Sequence, residues 1–395
     1  MRMELTMTVR FPQLDRRRFL QASLAGAATL PFLNAPGLAI AAEPGGLVVH
    51  GTSPMNAEGK LAKLVESWMT PVENFYVRSH APIPKIDADA FRLSVDGLVE
   101  RPLSLSLKEL AGFRQHSAVA TLTCAGNRRS EHSLIKPVKG VPWREGAIGN
   151  AKWSGVLLSD VLKKTGLKEG ARHVWFEGLD EIERSSGVIP FGASIPIEKA
   201  MADTDAMPGA LLTTKMNDTP LNGDHGAPLR TVVPGYIGAR SVKWLGKIVV
   251  SDRPSPNHYV ATAYKLVENG TPVEWAEQGP IYRMPLNSAI CTSTLASGEA
   301  RVAGYALPPG RPGATVASVE VSANGGRTWT KANVTSPVRD YCWVLWSAKV
   351  RVGAGTKELI VRASDSRGKT QPEKVDWNQK GYLFNAWHHA PVSSR

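Results

Sequence analysis

The segment Thr121-Leu122-Thr123-Cys124-Ala125-Gly126-Asn127-Arg128-Arg129-Ser130 carries the densest chemistry in the chain. A cysteine ends a run of β-branched and apolar residues, and a small-residue turn with two arginines follows. Adjacent cations favour the thiolate, the form that attacks or ligates a metal. Two guanidinium groups offer fixed charge and forked donors to an anion. The same residues also suit a buried structural cysteine beside solvated arginines, because free cysteine is among the most buried residue types. No CxxC accompanies it, which argues against zinc and iron–sulfur ligation, and no C-x-x-C-H marks a c-type haem.

Two further clusters carry similar residue types. Tyr76-Val77-Arg78-Ser79-His80 precedes Pro82 and Pro84, and an extended chain there puts Arg78 and His80 on one side. Asp224-His225-Gly226-Ala227-Pro228-Leu229-Arg230 leads on to Gly235-Tyr236-Ile237-Gly238-Ala239-Arg240-Ser241-Val242-Lys243. Its glycines allow close backbone approach, and its His, Arg, Ser and Lys are phosphate-binding groups. Taken alone, each cluster is equally an ordinary turn with surface charges. Neither G-x-G-x-x-G nor a Walker pattern is present, so nucleotide binding by those routes is unsupported.

The elements that must position these residues are mixed. Leu61, Leu64, Val65 and Trp68 recur at helical spacing and predict an amphipathic helix over 56–69. Residues 157–166 predict a second helix stopped by Gly166. Strands are expected at 91–99, 116–124, 173–179, 229–235 and 242–252. Without strict βαβ alternation this part reads as α+β. After about residue 285 the texture changes to short alternating strands at 299–307, 317–335, 341–350 and 357–365. Asn324-Gly325-Gly326 signals a hairpin, and an immunoglobulin-like β-sandwich is the natural reading. The expected division is 1–41, 42–285 and 286–395.

Residues 1–41 read as an address. Arg16-Arg17-Arg18-Phe19-Leu20, a mild apolar stretch and Ala39-Ile40-Ala41 follow the order of a twin-arginine export signal, with a basic amphipathic helix as the plain alternative. That route carries folded proteins, often around a bulky cofactor, and leads to the periplasm. The 395 residues exceed one ordinary domain, and 43% hydrophobic against 21% charged residues excludes wholesale disorder. A formal charge of +12 suits anionic substrates or acidic partners. No apolar run reaches the ~18 residues of a spanning helix. Three cysteines are too few for a disulfide scaffold, and Cys291 and Cys342 are expected as buried thiols rather than a bridge.

TLTCAGNRRSE, YVRSHAPIP, KGVPWREGAIGNAKWSG, FEGLD, GASIPIEKAM, DHGAPLRTVVPGYIGARSVKWLG and the C-terminal NAW together resemble the sulfite oxidase family of molybdenum enzymes. The similarity runs from about residue 70 to about residue 388. The resemblance implies an α+β molybdopterin-binding domain and an immunoglobulin-like β-sandwich that mediates homodimerisation. It makes Cys124 the protein ligand of molybdenum, beside the pterin dithiolene and oxo or hydroxo oxygens. Arg78 and Arg129 would face a small oxyanion, with Trp143 and Tyr264 lining its pocket. Tyr76, Val77, His80, Asp180, His225, Arg230, Ser241, Val242 and Lys243 would meet the pterin and its phosphate. Arg128 would join that basic pocket or form a structural ion pair. The implied reaction is sulfite to sulfate.

Two departures matter. Animal members carry a pocket arginine within W-R-L-W, where this chain reads Trp343-Val344-Leu345-Trp346, so Val344 replaces that charge. No haem domain is expected at either end, so two electrons would pass to an external c-type cytochrome. Sulfite, that cytochrome and a second copy of the chain are the expected partners, with no nucleic acid, membrane or haem. Rival readings are a sulfane-sulfur dehydrogenase, a molybdopterin methionine-sulfoxide reductase, a nitrate reductase lacking its usual modules, and a non-catalytic anion- or partner-binding protein.

Overall fold

In the computed structural model residues 45–203, 209–353 and 355–392 are described. The expected export signal lies outside them. Alternation builds the first layers. In His173–Gly178, Val174 and Phe176 are buried on one face, and that strand sits inside a mixed five-stranded sheet. The sheet order is Gly192–Pro196, His173–Gly178, Leu245–Ser251, Leu93–Gly97, Leu103–Leu105. The Leu245–Ser251 and Leu93–Gly97 pair is parallel and the rest are antiparallel. A second sheet runs Thr219–Pro220, Leu211–Met216, Ile148–Leu157, Gln115–Thr123, with Arg230–Val232 beside Leu211–Met216. Leu93, Phe176 and Ile248 of the first sheet meet Val156 and Leu212 of the second in one core, together with Val161 and Leu162 of the helix Leu158–Thr165. Gly166 at φ 68° ends that helix, a conformation that favours glycine.

The C-terminal strands form two four-stranded sheets. One holds Asn287–Ala296, Glu299–Leu307, Val344–Arg351 and Asn333–Val334; the other holds Thr330–Lys331, Val316–Ser322, Glu358–Asp365 and His388–Pro391. Val302, Val344 and Trp346 from one pack on Val319, Val321 and Val361 from the other. The hairpin signal at Asn324 is met: Val321 pairs with Thr330, Gly325 and Gly326 take φ 72° and 80°, and Ser322 Oγ accepts the Gly326 N–H at 3.0 Å. The α+β part and the β-sandwich match the expected fold class.

The helix expected over 56–69 does not form. Met55–Gly59 is a strand paired with Leu47–Thr52 and Val77–Arg78, and a single turn at Leu61–Leu64 remains. The apolar spacing still serves burial, because Leu61, Leu64, Val65 and Trp68 pack on the sandwich at Tyr305 and Trp343. Asn56 and Glu58 are drawn into bonds with Arg78 and the Arg144 backbone, which a helix could not make together. All three cysteines are free thiols. Cys342 donates from Sγ to the Val119 carbonyl, and burial pushes its pKa up to about 12.

Candidate active site

Cys124 follows directly on Gln115–Thr123, and its N–H is bonded to the Ala147 carbonyl at 2.9 Å. The chain then turns through Asn127 N–H to Cys124 O and Arg128 N–H to Arg144 O. Arg128 takes φ 65° and caps the helix Arg129–Ile135. The Gly126 N–H points at Cys124 Sγ, 3.4 Å away, and would stabilise a thiolate there.

Cys124 opens into a cleft lined by residues from all three sequence clusters. The three sequence clusters converge on it: Tyr76, Arg78 and His80 from the first, Cys124 from the second, His225, Arg230, Ser241 and Lys243 from the third. Asp180 and Tyr264 complete the set of expected residues in its walls. Ser79, Phe191, Asp224, Gly238 and Trp244 line it as well and were not singled out from sequence. Ser79 and Asp224 lay inside motifs already marked. Phe191 gave no local signal, because it is brought in by its N–H bond to Asp180 Oδ1 at 3.0 Å.

Val77 and Val242 turn away. Val77 packs with Leu47 and Ala57, and Val242 joins the main core while its N–H is taken by Thr231 Oγ1. Arg129 and Trp143 also lie outside the cleft walls, immediately behind Gly126. A Cβ placed on Gly126 would sit 2.6 Å from Arg129 Nη2 and 3.1 Å from Trp143 Cδ1. Arg129 is held by the carbonyls of Lys380 and Val141 and by the Tyr382 ring. The Trp143 indole N–H is buried without a protein acceptor. Tyr264 stacks on Tyr382 at 5.2 Å, and its Oη lies 3.4 Å from His80 Nε2. Tyr382 was missed because its tail segment carries only the short NAW motif.

Two expectations are resolved. Arg128 makes the structural pair: its guanidinium grips Glu131 and the carbonyls of Ser288, Ala386 and Trp387, and it does not line the cleft. Val344 is fully buried in the sandwich, paired with Ala306 in the ladder, so that position points at apolar core rather than at an oxyanion. The arginine comparison at W-V-L-W therefore says nothing about substrate affinity.

The cleft's charges are badly matched for an empty protein interior. Burial, then repulsion from Arg230, pushes Lys243 down to about 7 against the pull of Asp224 and Asp180. Burial brings Arg230 to about 10. Burial and Arg230 take His225 to about 3, so its imidazole is neutral. The Val72 carbonyl accepts from His225 Nε2 at 3.2 Å, which assigns the proton there and leaves Nδ1 to accept. Burial, then Arg78 and Lys243, also lowers His80. Cations that repel one another in a low-dielectric cleft favour a bound anion. Gly238 adds room, since a Cβ there would meet Tyr76 Oη at 2.5 Å. A soft sulfur ligand, a cluster of buried and half-buried cations and neutral imidazole acceptors suit a phosphorylated, metal-bearing pterin.

Comparison with known proteins agrees. A family model described as "Oxidoreductase molybdopterin binding domain" matches residues 80–259, and one described as "Mo-co oxidoreductase dimerisation domain" matches residues 278–395. Sulfite oxidase of Gallus gallus is 43% identical over 87% of this chain and 77% of that protein. Sulfite oxidase of Arabidopsis thaliana is 38% identical over 87% of this chain and 92% of that protein. The mitochondrial sulfite oxidase of Rattus norvegicus is 41% identical, and the match spans 65% of its length. Among solved structures, the sulfane dehydrogenase SoxCD of Paracoccus pantotrophus has the same fold, with a TM-score of 0.72 and 24% identity over 91% of this chain and 94% of that one. With these relatives and with Cys124 set among the cleft's cations, the chain belongs to the sulfite oxidase family of molybdopterin oxidoreductases.

Proposed function

We propose that this chain is a sulfite dehydrogenase that converts sulfite to sulfate at a molybdenum centre and passes two electrons to an external c-type cytochrome. The observation that carries the reading is the meeting of Cys124 with Arg78, His80, His225, Arg230 and Lys243 in one cleft. The relatives named sulfite oxidase support sulfite as the substrate. Cys124 Sγ would hold the metal. Arg230 and Lys243 would hold the pterin phosphate, with Ser241 and Tyr76 as further donors and Asp180 and His225 as acceptors. Bound there, the cofactor supplies oxygen-atom transfer and takes up two electrons.

The chain's own residues would then bind and orient the substrate. Arg78 would bring fixed positive charge to the sulfite oxygens from the cleft wall, while Arg129 and Trp143 would back that wall from behind Gly126, Trp143 with an N–H that no protein group takes. Holding the anion by its oxygens leaves the sulfur lone pair unblocked. Sulfate carries more charge than hydrogensulfite, so the same cations slow its release. Burial, then Tyr382, raises the pKa of Tyr264, which keeps Oη protonated as a donor to water or to His80 Nε2.

Periplasmic location, export by the twin-arginine route, a homodimer and the division at 285/286 belong to the same reading. Arg16-Arg17-Arg18-Phe19-Leu20 and Ala39-Ile40-Ala41 support export, and the dimerisation-domain match supports a dimer. The test is sulfite-dependent reduction of cytochrome c or ferricyanide by the molybdenum-loaded protein, with oxygen uptake followed in parallel. Acceptor reduction without oxygen uptake is expected. Oxygen consumption with peroxide would make it an oxidase. Inactivity with molybdenum present would move the reading to sulfane sulfur or to methionine sulfoxide.

A further inference from the structure

The N-terminal hairpin supplies none of the cleft's wall residues, yet two of its side chains grip both arms of the site. Asn56 and Glu58 are buried polar residues on Met55–Gly59, and their spacing of two sends them off the same face of the strand. Asn56 pairs with Arg78 across the ladder. Its Oδ1 accepts from Arg78 Nη1 at 3.0 Å and from the Ser79 N–H at 3.3 Å, while its Nδ2 donates to the Pro54 carbonyl at 2.9 Å. Ser79 Oγ in turn receives Lys243 Nζ at 2.7 Å. The Asn56 amide oxygen thus holds both the Arg78 side chain and the Ser79 backbone, and the amide nitrogen anchors Asn56 itself to Pro54.

Glu58 reaches the opposite arm. Its Oε2 accepts the Arg144 N–H at 2.8 Å, and its Oε1 lies 3.1 Å from His50 Nε2. The His50 ring meets Trp143 edge-on at 5.1 Å. Arg144 O then receives the Arg128 N–H at 2.7 Å, which holds the turn after Cys124. Burial raises the Glu58 pKa to about 7, with Glu145 adding to it and the Arg144 N–H opposing it. A hairpin has no need of a carboxylate placed at such cost.

We propose that Asn56 and Glu58 are positioning residues of the oxyanion site, Asn56 setting the Arg78 guanidinium and Glu58, with His50, setting the Trp143–Arg144 segment. The inference rests on the sulfite reading above. Its test uses the holoenzyme and the variants Asn56→Ala, Asn56→Asp, Glu58→Ala and Glu58→Gln. The readouts are kcat and KM for sulfite, sulfate affinity by calorimetry, and molybdenum content. Asn56→Ala raises KM and the sulfate dissociation constant together by about tenfold, below the 100-fold a 1 Å misplacement can cost. Its kcat stays within roughly twofold and its molybdenum content is unchanged. Asn56→Asp keeps the acceptor but sets a carboxylate against the Arg78 charge, so sulfate affinity stays weakened. Glu58→Gln keeps the acceptor for the Arg144 N–H and stays near wild type, whereas Glu58→Ala weakens sulfate binding. Unchanged KM and sulfate affinity in both alanine variants would overturn the proposal, as would a parallel loss of molybdenum and kcat. A wild-type protein that neither oxidises sulfite nor binds sulfate would overturn the functional reading and this inference with it.

Discussion

Arg128 and Arg230 are both buried guanidinium groups in the same chain, and their surroundings are opposite. Arg128 meets the Glu131 carboxylate with Nε and Nη2 at 2.5 and 2.8 Å, and Asn287 Oδ1 with Nη1 at 2.7 Å. Burial alone would lower its pKa, but Glu131 outweighs that and holds it above the ordinary value. Arg230 donates to the carbonyls of His225, Thr231 and Ser241, which are dipoles rather than charges, and lies near Lys243. One region buries a cation and supplies its anion; the other gathers Arg78, Arg230 and Lys243 against only Asp180 and Asp224 and leaves positive charge for a ligand to neutralise. The first is a joint, tying the turn after Cys124 to the sandwich strand Asn287–Ala296 and to Ala386 and Trp387. The second is the cleft. A compensated buried charge marks structure, and a mutually repelling set marks a binding site.

The comparison predicts separable losses. Cys124→Ser has the largest expected effect: sulfite oxidation falls to background while the far-ultraviolet circular dichroism is retained. A variant with a near-normal rate would remove Cys124 from the metal site. Val344→Arg comes next, because it drives a charge between two apolar sheets. It should cost more than about 4 kcal/mol and lower the yield of folded protein, and a soluble variant with tighter sulfite binding would place that position in the pocket after all. Arg128→Met should cost about 3–5 kcal/mol, since Glu131 and the carbonyls lose their partner. It would show as a lower melting temperature with or without cofactor. A loss confined to the loaded enzyme would make Arg128 part of the cleft.

These outcomes follow the line between what was legible in sequence and what was not. Cys124, Arg78 and His225 were readable because their chemistry lies in contiguous motifs whose spacing survives folding. The strand at Glu299–Leu307 and the Asn324 hairpin were readable because alternation and turn residues are local signals. The helix over 56–69 was misread because its apolar spacing is real but its polar residues bond to segments 22 and 86 positions away, at Arg78 and Arg144. The roles of Arg128 and Arg129 could not be separated by sequence, since neighbouring arginines diverge only when the turn gives Arg128 a positive φ. Arg129 is then enclosed by Gly126, Gly140 and Gly381, the last of them far along the chain. Val344 was misassigned for a related reason: matching tryptophans fixed the alignment but not the face of the strand.

The smallest expected effect is the sharpest test of the contrast, because it reverses sign. Lys243 is pushed down to about 7 from an ordinary value of 10.5. Between those values the unfolded chain keeps a proton that the folded chain has shed. The stability contributed at this position therefore rises with pH across that window, and below it the full cost of the buried charge remains. In cofactor-free protein, Lys243→Met should raise the melting temperature at pH 7 and flatten its rise toward pH 9. In loaded protein the same substitution should weaken cofactor retention by roughly 10- to 100-fold, because a charge-assisted bond to phosphate is lost. A joint cation such as Arg128 cannot behave this way, since its removal destabilises both forms. If Lys243→Met instead lowers the melting temperature of cofactor-free protein, the cleft's cations are compensated as fully as those of the joint, and the argument from mutual repulsion to a bound anion fails.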